Sequence, residues 1–149
     1  MAEVNYSINI RSDVQTVWDT MLAPNTYNQW TQAFHPSSSY EGSWEQGSEI
    51  KFIAVNENGT SEGMYSIVKE NVPFKKISLE HKGMIKDGII DTESEEVKKW
   101  APSYENYTFN DNGDSVEILV EMQVPEEYVE QFARMWKNAL EALKALCEK

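Results

Sequence analysis

Side chains able to do chemistry are sparse in this chain of 149 residues. It holds two histidines, His35 and His81, and one cysteine, Cys147. These cannot build a cysteine- or histidine-rich metal centre, so no metal is expected. No cofactor is expected either. Gly42, Gly47, Gly59, Gly63, Gly83, Gly88 and Gly113 read as dispersed turn glycines and form no phosphate-cradling loop. No Gly-x-Ser-x-Gly nucleophile elbow occurs. His81 is the weak catalytic candidate. It shares a predicted strand face with Ile77 and Leu79, and a histidine facing a cavity could act as general acid or base. No partner stands at a readable spacing, so the competing explanation is a partly buried histidine satisfied by a backbone group or water. His35, beside Pro36, reads as a loop residue. The carboxylates Glu93, Glu95, Glu96 and Glu126, Glu127 could hold a cation, but favourable charge at a helix start explains them more simply.

The aromatic and methionine set is richer. Trp30, Phe52, Tyr65, Tyr107, Phe132 and Trp136, with Met64, Met84, Met122 and Met135, could line an apolar pocket or simply fill a core. Strand alternation and helical phase favour Trp30, Met122, Phe132 and Trp136. The expected ligand-binding set is Trp30, Phe52, Met64, Leu79, His81, Tyr107, Met122, Phe132, Met135 and Trp136.

The elements that must position these residues are legible from periodicity. Val4, Tyr6, Ile8 and Ile10 alternate with polar residues as a half-buried strand. Ser12 or Asp13 then caps a helix carrying Val14, Val17, Trp18, Met21 and Leu22. Pro24-Asn25 is expected to end it, and Thr26–Thr31 to form a short second helix. Strands are predicted at 38–40, 48–55, 63–69, 76–82, 104–109 and 115–124, with Asn58-Gly59 and Asn112-Gly113 as turn signals. Residues 87–103 read as either a short helix or a mobile loop. Pro125 suits the first turn of a helix. From there to about Lys149, the residues Val129, Phe132, Trp136, Leu140, Leu143 and Cys147 recur at helical spacing, widened by Met135, Ala139 and Leu146. A long helix after a run of antiparallel strands must lie across the apolar face of the sheet. The expected fold is therefore α+β, a helix grip. A curved antiparallel sheet of about six or seven strands wraps the C-terminal helix, with two short helices after the first strand.

Length predicts one domain over 1–149. The formal net charge of −12 repels phosphate backbones and anionic membranes, so neither nucleic acid nor a membrane is an expected partner. No basic-then-apolar leader precedes the first strand, and a single cysteine fits a reducing compartment. A cytoplasmic location is the expectation. A second copy of the chain remains open as a partner.

The order of elements resembles the START-like (SRPBCC) superfamily, which includes the birch-pollen allergen, steroidogenic-regulator lipid-transfer domains and polyketide cyclases. Within it the chain is most similar to the heat-shock-protein ATPase activator homology group. The resemblance is carried by Ile8, Ser12, Val14, Val17 and Trp18 at the opening, Tyr27 and Trp30 in the second helix, and Trp44, Gly47, Ser48, Ile50 and Phe52 entering a strand. Gly63, Ile67, Val68, Pro73 and Ile77 continue it, and Trp136, Leu140, Leu143 and Leu146 close it. Met135 stands where that group often has glycine, and the insert at 87–103 is longer and more acidic than its pattern. The resemblance implies a hydrophobic small molecule, lipid-like or polyketide-like, held between sheet and helix. A cyclase, dehydratase or hydrolase using the same cavity is one alternative. A co-chaperone-like module with a chaperone partner is the other.

Overall fold

The structure, a computed structural model, describes residues 1–149. Its strands are β1 (Ala2–Ile10), β2 (Ser39–Gly42), β3 (Glu49–Val55), β4 (Ser61–Val72), β5 (Lys76–Lys86), β6 (Ile89–Asp91), β7 (Ser103–Asp111) and β8 (Val116–Val124). The helices are α1 (Val14–Leu22), α2 (Pro24–Trp30), α3 (Glu95–Lys98) and α4 (Val129–Cys147). All strand pairs are antiparallel, in the order β1-β8-β7-β5-β4-β3-β2, with β6 paired to the far end of β5. This is the expected α+β helix grip. The strand beyond the expected number is β6, inside the insert. Residues 87–103 thus hold both a strand and the helix α3, which Ser94 caps by accepting from the Val97 N–H. No helix is long and apolar enough to cross a membrane.

Local chemistry explains most boundaries. The Asp13 side chain accepts from the Thr16 N–H at 2.8 Å and starts α1. Pro24 does not end a helix. α1 stops at Leu22, and Pro24 opens α2, where its missing N–H has no intrahelical partner to lose. Pro125 is likewise followed by a 3-10 turn, Glu126–Tyr128, before α4 begins at Val129. Four glycines do sit at positive φ in turns, but Gly42, also at positive φ, ends β2, and Gly63 and Gly83 lie inside β4 and β5. A side chain on Gly63 would collide with the Phe52 carbonyl of the neighbouring strand. That is close backbone approach rather than a turn.

Two bulges bend the long β4–β5 pair. Lys82 is the extra residue where the register passes from Tyr65–Gly83 to Ser66–His81, and Lys69 is the extra residue between Val68 and Glu70. The concave face so formed carries the main core of 20 buried residues. α4 packs most closely against β1, α1 and α2, and large side chains bridge the space to the central strands. At its C-terminal end, Glu148 accepts from the Arg11 N–H and from Lys144 Nζ, and Lys144 Nζ also donates to the Asn9 carbonyl. These contacts tie the helix to the end of β1.

Candidate functional site

Cross-strand partners share a sheet face, so the register maps the concave surface as a set of rows. The outermost is Tyr40, Phe52, Met64 and Met84. Next come Ile50, Ser66, His81 and Ser103. The third row is Val68, Leu79, Glu105, Met122 and Val4, and the fourth is Ile77, Tyr107, Val120 and Tyr6. Four polar residues stand together amid these apolar rows, because Ser66 and Ser103 each face His81 directly and Glu105 sits diagonally across from it.

A continuous hydrogen-bonded chain results. Ser66 Oγ lies 2.6 Å from His81 Nδ1, and His81 Nε2 lies 3.0 Å from Glu105 Oε1. The Tyr107 hydroxyl donates to Glu105 Oε2. A carboxylate only accepts, so His81 carries its proton on Nε2 toward Glu105. At Nδ1 the ring accepts from the Ser66 hydroxyl when neutral and donates to it when protonated. Ser66 is fully buried, Tyr107 is 4% exposed, and the side chains of His81 and Glu105 keep 7% and 12% of their surface. The expected alternative, satisfaction of His81 by a backbone group or water, is replaced by two side-chain partners. They lie 15 and 24 residues away in sequence.

Aromatic rings surround the chain. Phe52 meets His81 edge-on with centroids 6.3 Å apart, and Tyr107 lies 6.1 Å from Trp136 of α4. Trp136 also stacks on Tyr6 at 16° and packs against Trp30 and Phe34. Tyr27 packs against Trp30, Tyr40, Trp44 and Phe52. The polar edges of these rings turn to the backbone: Trp30 Nε1 donates to the Met21 carbonyl, and Tyr40 Oη and Trp44 Nε1 both donate to the Leu22 carbonyl. The end of α1 therefore anchors one wall. Burial, with the Glu105 charge adding to it, pushes the Tyr107 phenol well up. Tyr27 is pushed up by the same two causes in the same order.

The expected site residues fall into three groups. Phe52, His81, Tyr107 and Trp136 come together around the polar chain. Met64 and Met122 share the concave face beside it, half-buried. Phe132 and Met135 are half-buried on α4, and Phe132 packs against the core cluster. Leu79 is fully buried, and Trp30 is 2% exposed. Tyr65 departs from the expectation. One residue out of phase with Met64 and Ser66, it lies on the outer face, where Glu49 and Lys82 are its charged neighbours. Ser66, Glu105 and Tyr27 belong to the site and were not foreseen in it. Two surface recesses lie at the margins of the sheet. One runs across Glu3, Asn5, Tyr104 and Glu121 and reaches Val4 and Met122, and the other is beside Val14, Phe74 and Phe109.

Residues 11–148 match the family described as Activator of Hsp90 ATPase homolog 1-like protein. The chain belongs to this family. The expected membership of the START-like superfamily thus holds. No curated protein matches the sequence. Among solved structures, a protein from Rhizobium leguminosarum is similar at 14% identity and a TM-score of 0.73, over 99% of this chain and 94% of that one. Protein CV1439 from Chromobacterium violaceum is similar at 14% identity and a TM-score of 0.69, over 100% and 99% of the two chains. DynU16, a protein of the dynemicin biosynthetic locus, is 12% identical with a TM-score of 0.69; the match covers 96% of this chain and 46% of DynU16. At such identities the likeness is one of fold. This member of the activator-homolog family sets the Ser66–His81–Glu105–Tyr107 chain within that fold.

Proposed function

We propose that the protein binds an apolar small molecule between the concave sheet face and α4. One observation carries this reading: a hydrogen-bonded polar chain that includes a partly exposed carboxylate, Glu105, set inside walls of aromatic rings. Sites for small organic ligands combine apolar walls with a few placed polar groups. Half-buried Phe52, Met64, Met122, Phe132 and Met135 are the side chains that move to admit the ligand, since methionine repacks at little cost.

The test is titration with the neutral dye Nile red, followed by displacement with sterols, aromatic polyketides and fatty acids. Saturable binding at one dye per chain, reversed by one of these classes, is expected. No saturable binding by folded protein would sink the reading. Trp136→Phe keeps a ring in the wall and is expected to weaken dye binding; Trp136→Ala costs about 3–5 kcal/mol of stability besides.

Two other readings have an observation behind them. The His81–Glu105 hydrogen bond favours acid–base chemistry on the bound molecule, and loss of turnover in folded His81→Gln would support it. The family description favours a chaperone partner, and co-purification of a chaperone through the outer surface, insensitive to Trp136→Phe, would support that.

A further inference from the structure

The hydrogen-bond inventory of the grip says which head group it accepts. Donors in the walls are committed. Trp30, Trp44 and Tyr40 donate to backbone carbonyls, Tyr107 donates to Glu105, and His81 and Ser66 are engaged along the chain. The Tyr27 hydroxyl has that of Ser38 beside it. The exceptions are two hydroxyls: that of Tyr6, buried without a partner, and that of buried Ser103, opposite His81, which makes no hydrogen bond. Both are neutral groups. No lysine or arginine is among the buried residues. Acceptor capacity, by contrast, is spare. A carboxylate offers about four acceptor positions, and Glu105 has one filled by His81 and one by Tyr107. Its side chain is 12% exposed, against 7% for His81.

We propose that Glu105 receives a hydrogen-bond donor carried by the apolar ligand, a phenolic hydroxyl or a protonated amine, and that the grip excludes carboxylate ligands. This rests on the ligand-binding reading above. A carboxylate entering here meets a like charge in a water-poor site and finds no cationic donor to balance it. A donor head group meets an oriented acceptor. If it is an ammonium, it also meets ring faces that attract cations. The net charge of −12 acts in the same direction on approach, repelling anions before they reach the grip.

The experiment uses three ligands with one apolar body: 2-naphthol, naphthalen-2-ylmethylammonium and 2-naphthoate, each titrated into the full chain by calorimetry at pH 7. At least one of the first two is expected to bind at least about tenfold tighter than naphthoate, the worth of a hydrogen bond to a charged acceptor. Glu105→Gln keeps the shape but replaces one acceptor atom with an NH2 donor, and is expected to bring that ratio within about threefold. The proposal is overturned if naphthoate binds as tightly as the other two, or if the ratio is unchanged in folded Glu105→Gln. If that variant fails to fold, the wild-type ratio decides alone. If none of the three binds, the ligand-binding reading falls, and this inference with it. Equal binding of all three removes only the inference.

Discussion

Removing the Glu105 carboxylate should damage stability in a way a second substitution partly repairs. Glu105→Leu takes away the acceptor for the His81 Nε2–H and for the Tyr107 hydroxyl, two groups 6% and 4% exposed. Each buried orphan donor costs about 1–3 kcal/mol. Some of this is offset because a buried charge has also gone. A net loss of about 3 kcal/mol is expected, which moves a urea midpoint by about 1.5–2 M at m values ordinary for small proteins. Tyr107→Phe alone loses one hydrogen bond and should cost about 1 kcal/mol. In the double variant the phenol is no longer present to be orphaned, so it should be no less stable than Glu105→Leu. The coupling in the cycle is then about 1–2 kcal/mol. Urea unfolding followed by tryptophan fluorescence and by circular dichroism gives all four stabilities, with a constant m value as the check on two-state behaviour. If the two single costs add within about 0.5 kcal/mol, the Glu105–Tyr107 bond is not part of the folded protein's energetics and the reasoning fails.

Other consequences can be measured with the same apparatus. Tyr27 and Tyr107 keep their protons in the fold above the ordinary phenol pKa of 10.0. Unfolded, they release them, so the stability these phenols contribute is whole below pH 10 and is lost as pH rises beyond it. Each of the two adds about 1.4 kcal/mol per pH unit to the slope; Tyr27→Phe should remove one such increment, and an unchanged slope would count against the burial of Tyr27. Gly63→Ala should cost at least about 2 kcal/mol, because the new methyl meets the Phe52 carbonyl and lies 3.0 Å from the Ile53 Cα, and backbone cannot step aside as a side chain does. Gly59→Ala, with open space but φ of 84°, should cost only about 1 kcal/mol. Equal costs at the two positions would refute the crowding argument.

The architecture was readable because periodicity carries it. The alternation of Val4, Tyr6, Ile8 and Ile10 and the stripe from Val129 to Cys147 each point to one buried face, and both are where they were expected. The polar chain was not readable, because it is a product of register. His81 meets Ser66 only because Lys82 bulges out of β5; without the bulge, Lys82 would stand opposite Ser66. Nothing local in the sequence announces that bulge. Glu105 did leave a signal: it occupies the phase of Ser103, Tyr107 and Phe109, an acidic residue on a strand face otherwise turned inward. Tyr65 failed for the opposite reason. It is an aromatic residue of suitable type, one position out of phase, and type was given more weight than alternation.

The five tryptophans offer the most direct measurement of where a ligand goes. Each gives one indole N–H signal in a nitrogen-15 correlation spectrum, and substitution one at a time assigns them. Trp30, Trp44 and Trp136 stand in the grip walls. Trp18 packs on Phe74 and Phe109 at another end of the sheet, and Trp100 follows α3. Titration with 2-naphthol should move the Trp30, Trp44 and Trp136 signals together along one saturable curve and leave Trp18 and Trp100 in place. Saturable shifts confined to Trp18 or Trp100, or no shift at all in folded protein, would contradict binding between the sheet and α4.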